Sequence, residues 1–120
     1  MEPVIIRPKS ALTLTYEPTL FVSMSLKTKI MVDVDFTRGS SSGLSMILET
    51  SENGSDWYSF ATKVMDEDSS TSTIKEMEFI YLATGTPSFE LDINKPYARL
   101  SVKALVNATG AELGLTVWRL

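Results

Sequence analysis

The sequence predicts an all-β protein, an antiparallel β-sandwich, on three observations. Apolar and polar residues alternate with period two through most of the chain, turn-forming residues recur at the short spacing of a sandwich, and residues 44–64 carry a complete hairpin signature. In that hairpin Leu44, Met46 and Leu48 alternate with Ser45 and Glu49. Glu52, Asn53, Gly54 and Ser55 then supply residues that tolerate positive φ, and Trp57 and Phe60 open a second apolar segment.

The elements follow in order. Pro3 and Pro8 frame Val4, Ile5 and Ile6, a pattern that disfavours both helix and central strand. Residues 1–10 are therefore expected to form an extended N-terminal arm that pairs at an edge or lies on a neighbour, and residues 11–120 a single sandwich domain. Leu12, Leu14 and Tyr16, and then Leu20, Val22, Met24 and Leu26, read as two half-buried strands. Ile30, Val32, Val34 and Phe36 alternate with Asp33 and Asp35 in the cleanest period-two signal of the chain, and residues 38–43 form a loop. After the hairpin, residues 66–73 are a polar run without an apolar anchor and read as a long exposed loop. Residues 74–83 fit a helix through Glu76, Met77 and Leu82, or a strand through Met77, Phe79 and Tyr81. Strand is preferred, because Phe79, Ile80 and Tyr81 are better strand formers. Gly85, Thr86 and Pro87 turn the chain into Phe89, Leu91 and Ile93, and Asn94, Lys95 and Pro96 turn it again. Ala98, Leu100, Val102, Ala104 and Val106 then line one face of a long strand whose other face carries Arg99, Ser101 and Lys103. A turn over residues 107–110 leads to Leu113, Leu115 and Val117 in the last strand. Two sheets of such strands bury one face each, and the jelly roll is one form of that arrangement.

Composition narrows the function. A chain of 120 residues with 43% hydrophobic and 22% charged residues is one ordinary domain. Its net charge of −4 and scattered basic residues oppose a phosphate-binding face, so no nucleic-acid partner is expected. The chain has neither cysteine nor histidine, which removes disulfides, thiol and imidazole catalysis and most transition-metal sites. The N-terminal residues lack the apolar core of a secretory signal, and no apolar run approaches a membrane span. A soluble protein made in the cytoplasm, with no membrane partner, is the expectation. Asn107, Ala108 and Thr109 match a glycosylation sequon but read more simply as a hairpin loop ending in Gly110.

Several residues invite a chemical reading. Asp33 and Asp35 share one strand face and suit a calcium ion or an acid and base pair, yet opposite an apolar stripe they read as the solvated face of the sheet. Asp66, Glu67 and Asp68 lack the alternating ligands and fixed glycine of a calcium loop. Trp57, Tyr58 and Trp118 are suited to stacking against a sugar if they gather on one surface, and otherwise to packing. Ser40, Ser41 and Ser42 do not make a catalytic constellation with Lys27. No catalytic residue, cofactor or metal ligand is assigned, and the protein is expected not to be an enzyme.

The hairpin LETSENGSDWYSFATKV matches a pattern of Glu49, Ser51, Asn53, Gly54 and Trp57, and NKPYARLSVKAL supplies Pro96, Tyr97, Arg99, Leu100 and Val102. Together these segments, spanning roughly the C-terminal two thirds of the chain, resemble the small β-sandwich structural proteins encoded among tailed-bacteriophage virion genes. More distantly they are similar to discoidin-like carbohydrate-binding sandwiches. The resemblance implies a non-enzymatic role in the virion: a capsid decoration or cement protein, oligomeric, bound to the major capsid protein or another virion protein. The alternative is a carbohydrate-binding or tail and baseplate adhesion module. Val4, Ile5 and Ile6 of the arm and Trp57 and Tyr58 of the hairpin are the expected partner-binding residues.

Overall fold

The computed structural model describes residues 2–59 and 78–120 with their side chains, and residues 61–65 and 72–76 as backbone. Phe60, Met77 and the acidic residues Asp66, Glu67 and Asp68 lie outside the described residues. The regular structure described is strand throughout: β1 (Val4–Ala11), β2 (Glu17–Pro18), β3 (Val22–Ser23), β4 (Lys29–Thr37), β5 (Gly43–Ser51), β6 (Tyr58–Ser59), β7 (Ala61–Met65), β8 (Ser72–Glu76), β9 (Glu78–Tyr81), β10 (Ser88–Asp92), β11 (Tyr97–Leu105) and β12 (Glu112–Arg119).

The strands form the expected sandwich. One sheet has the order β1-β12-β4-β10. The other has β2-β11-β5-β6, with β3 on the same edge of β11 as β2 and β9 on the same edge of β5 as β6. The pairings are antiparallel. β7 and β8 belong to neither sheet and pair with each other, antiparallel. The segment read as ambiguous between helix and strand carries strand in β8 and β9, the latter ending at Tyr81.

The core lies between the sheets and follows the alternation read from the sequence. Ile30, Val32, Val34 and Phe36 of β4 face Leu44, Met46 and Leu48 of β5 and Leu100 and Val102 of β11 in one buried cluster, joined by Leu113, Leu115 and Val117 of β12. The long register of β11 on β5, from Tyr97↔Ser51 to Leu105↔Gly43, keeps both apolar stripes on the same face. β5 is buried on both faces, because Ser45 on its outer side is covered by Tyr16 and Glu78, which hydrogen-bond its hydroxyl at 2.7 Å each. The hairpin turn is built as its residues imply. Ser51 Oγ accepts hydrogen bonds from the backbone N–H groups of Asn53 and Gly54, Asn53 Oδ1 accepts those of Ser55 and Asp56, and Gly54 takes φ +76°.

The extended N-terminal segment takes the edge placement, one of the two expected for it: β1 pairs with β12 from Val4↔Val117 to Ala11↔Glu112, and Ile6 is buried in the core. Two register shifts and Pro8 keep β1 irregular, and Arg7 compensates by donating to the carbonyls of Leu113 and Ala11. Two expectations are corrected. The two strands expected over residues 12–26 shrink to β2 and β3. Pro18 cannot donate to a ladder, and only Leu12, Val22 and Met24 of that stretch's large apolar residues are buried, while Leu14, Leu20 and Leu26 are exposed. Finally, β11 ends at Leu105. Val106 turns outward at φ +67° and leaves the apolar stripe.

Candidate binding surface

The outer faces of the two sheets and the loop ends between them are what the sandwich offers to a partner. On the outer face of the β11–β5 sheet, the cross-strand register sets Arg99 opposite Glu49, and Arg99 Nε donates to Glu49 Oε1 at 2.9 Å. Both side chains are about one-fifth exposed, so this pair is shielded more than an ordinary surface bridge. Trp57, arriving from the hairpin turn, lies against the Arg99 guanidinium with 4.3 Å between its ring centre and Cζ. Phe21 leans on Trp57 at 5.7 Å and meets Tyr97 edge-on at 5.5 Å. A patch of Phe21, Trp57, Tyr97, Arg99 and Glu49 results, in which Phe21 remains about half exposed.

Its composition explains the residues that the resemblance matched: Glu49, Trp57, Tyr97 and Arg99 form one contacting cluster on the outside of the sheet. Phe21 was not singled out by the sequence reading. It sits in the irregular stretch between β2 and β3, where alternation carries no signal, and only the pairing of Tyr97 with Ser23 brings it alongside.

The other expected partner residues divide. Ile5 is exposed, Val4 is half-buried against the core, and Ile6 is only 2% exposed and has no surface to offer. Tyr58 is 69% exposed at the sheet edge, in a cleft with Glu52, Asn94 and Lys95. Trp118 lies on the opposite sheet, where its Nε1 donates to Asp33 Oδ2 at 2.8 Å. Trp57, Tyr58 and Trp118 therefore do not assemble into one stacking platform.

The outer face of the β12–β4 sheet is laced rather than open. Asp33 accepts from Trp118 on one oxygen and from Ser88 on the other, tying β4 to both neighbouring strands, and Asp35 pairs with Lys9 of β1 at 3.2 Å, reaching across β12. A shallow groove runs between Ile5, Lys9, Asp33 and Asp35 over Gly114. Among the described residues, no group of three or more acidic side chains is placed to hold a metal ion. No helix there is long and apolar enough to cross a membrane.

The loop ends carry the backbone strain. Ser25 and Leu26 adopt φ +46° and +70° in the turn between β3 and β4, and Val106 adopts φ +67° after β11. Leu26 is fully exposed and Val106 nearly so.

No family model matches the chain, and no curated protein matches it. Among solved structures it is similar to the SPBc2 prophage-derived protein YomS, with a TM-score of 0.57 and 8% identity, over 97% of this chain and 89% of that one. Likeness at that identity is a likeness of fold, and it spans the sandwich from end to end.

Proposed function

We propose that the chain is a non-enzymatic structural protein of a tailed-phage virion, acting as a capsid decoration or cement protein. The observation that carries this reading is the whole-chain likeness in fold to a prophage-derived protein. It agrees with the resemblance read from the Glu49 to Trp57 hairpin. The strand order supports it further. The chain enters the first sheet at β1, crosses to the second at β2 and β3, returns at β4, crosses again at β5, comes back at β10, crosses at β11 and ends in the first sheet at β12, an alternation that fits a jelly-roll reading, the architecture recurrent in viral capsid and lectin domains. On this reading the aromatic and Arg99 patch or the loop ends meet a capsid lattice. Several copies engaging a symmetric lattice gain strength by repetition, so single contacts can stay small.

The experiment compares particles assembled with and without the protein. Particles lacking it should form but release their contents at lower temperature, and purified protein should restore the difference, because a ligand that binds only the assembled state stabilises it. Unchanged thermal resistance refutes the decoration role. A second reading, adhesion to glycans at a tail or baseplate, draws on one observation: Tyr58 presents an exposed ring beside Asn94 and the Glu52–Lys95 pair. Binding of glycans by the purified protein, lost on Tyr58→Ala, is the result that selects it.

A further inference from the structure

We infer that the turn between β3 and β4 is a docking knob, in which Leu26 enters an apolar pocket rimmed by acidic residues on a partner protein; this rests on the virion reading above. Lys27 N–H donates to the Met24 carbonyl at 2.8 Å, closing a four-residue turn with positive φ at both central positions. That conformation suits Asn and Gly, and a leucine held in it is disfavoured by its own Cβ. Such strain survives where surrounding structure or function holds it in place. The fold itself draws nothing from this side chain, because Leu26 is 103% exposed relative to an extended chain. The flanks of the turn are firmly tied, with Met24 N–H donating to the Pro96 carbonyl and Ile93 N–H to that of Thr28, so the knob stands on a rigid base. An immobilised apolar tip on such a base loses little conformational freedom when it docks.

The surroundings identify the partner's chemistry. Lys27 and Arg119 flank Ser25, and neither makes an ion pair among the described residues; Arg119 donates instead to the Ser23 carbonyl. Lys95 borders the same cleft as Leu26 and is already paired with Glu52, and Glu2 stands near Arg119. Lys27 and Arg119, unpaired among the described residues, with Glu2 the one acidic side chain lining their cleft, leave a net positive surface beside the apolar tip on a chain of net charge −4, and favour a local acidic surface as the complement. A membrane is the poorer match, since a single leucine and two cations give only marginal attachment to anionic lipid.

The test measures rebinding of purified protein to particles that lack it, alongside thermal unfolding of the free protein. Leu26→Gly and Leu26→Asn keep the turn and remove the knob. Each should weaken binding at least tenfold while leaving the melting temperature unchanged or raised by about 2–5 °C. Lys27→Glu should weaken binding and flatten its salt dependence. If the wild type binds and the Leu26 variants bind equally well, this inference falls while the virion reading stands. A lowered melting temperature in Leu26→Gly assigns the side chain to the fold and also overturns it. Wild-type binding to phosphatidylserine vesicles but not to particles, or a Leu26-dependent self-association, replaces the acidic protein partner with lipid or with a second copy. Binding to none of these overturns the inference and the virion reading together.

Discussion

Replacing Ile6 by alanine tests whether the N-terminal segment belongs to the sandwich. Ile6 is 2% exposed and packs in the core, whereas its neighbour Ile5 is 59% exposed on the other face of the same strand. Truncation to alanine removes three carbons, about 0.8 kcal/mol each in transfer free energy, or roughly 2.4 kcal/mol. The cavity left between the sheets raises the cost to about 3–4 kcal/mol. For a domain of this size that corresponds to a fall of about 12–16 °C in melting temperature. Ile5→Ala should stay within about 0.5 kcal/mol of wild type. Urea unfolding followed by tryptophan fluorescence measures both variants in one assay. Equal stability of Ile6→Ala and wild type refutes the placement of β1 and restores a free arm. The same reasoning reverses what an arm implies for truncation: deleting residues 1–10 should unfold the protein, because it exposes the β12 edge and opens the core at Ile6.

Two further substitutions test the loops and the outer patch. Gly39 sits at φ +59° with the neighbouring loop against it, and an added Cβ would come within 2.4 Å of the Gly110 backbone carbon; Gly39→Ala should therefore cost at least about 2 kcal/mol in chemical denaturation, and a neutral result refutes the contact. A double-mutant cycle on Glu49→Gln and Arg99→Met should return a coupling of about 1 kcal/mol, above the usual value for an exposed pair, and zero coupling would mean that the bridge is solvent-screened despite its geometry.

What could be read from the chain depended on whether a segment pairs on both sides or one. β4, β5, β11 and β12 lie inside their sheets, so every second residue is forced inward and the alternation of Ile30 to Phe36 or of Ala98 to Ala104 reports the core directly. The β5 to β6 hairpin was legible for a different reason, since Ser51, Asn53 and Gly54 are the residue types whose side chains and φ values make such a turn. Residues 12–26 failed because they run along an edge. There Thr13, Thr19 and Met24 take hydrogen bonds with β11 or the residue before it one at a time, the ladder never becomes continuous, and the face that a residue shows is set by local bends. The N-terminal segment was legible as an extended edge element, since two prolines argue against a central strand and an edge strand tolerates Pro8; its share in the core was not, because Ile6 needs only one neighbour, β12, to be carried there.

The outer surface obeys a different logic, and that is why its residues were only half visible. Arg99 and Glu49 become a pair through register, which a hydrophobic pattern fixes without any reference to charge, so the core strands decide what the outside of the sheet can assemble. Trp57 joins them because the turn at Gly54 delivers it, and Phe21 because β3 is held to Tyr97. Leu26 and Val106 escape every such signal. A leucine in a turn looks like one more member of an alternating strand, and a valine after Ala104 looks like its last residue, since no side-chain pattern encodes a positive φ in a residue that disfavours it. Where stabilising choices such as Asn and Gly were open to the chain at Gly54 and were used, their absence at Leu26 points to a constraint that the isolated fold does not impose.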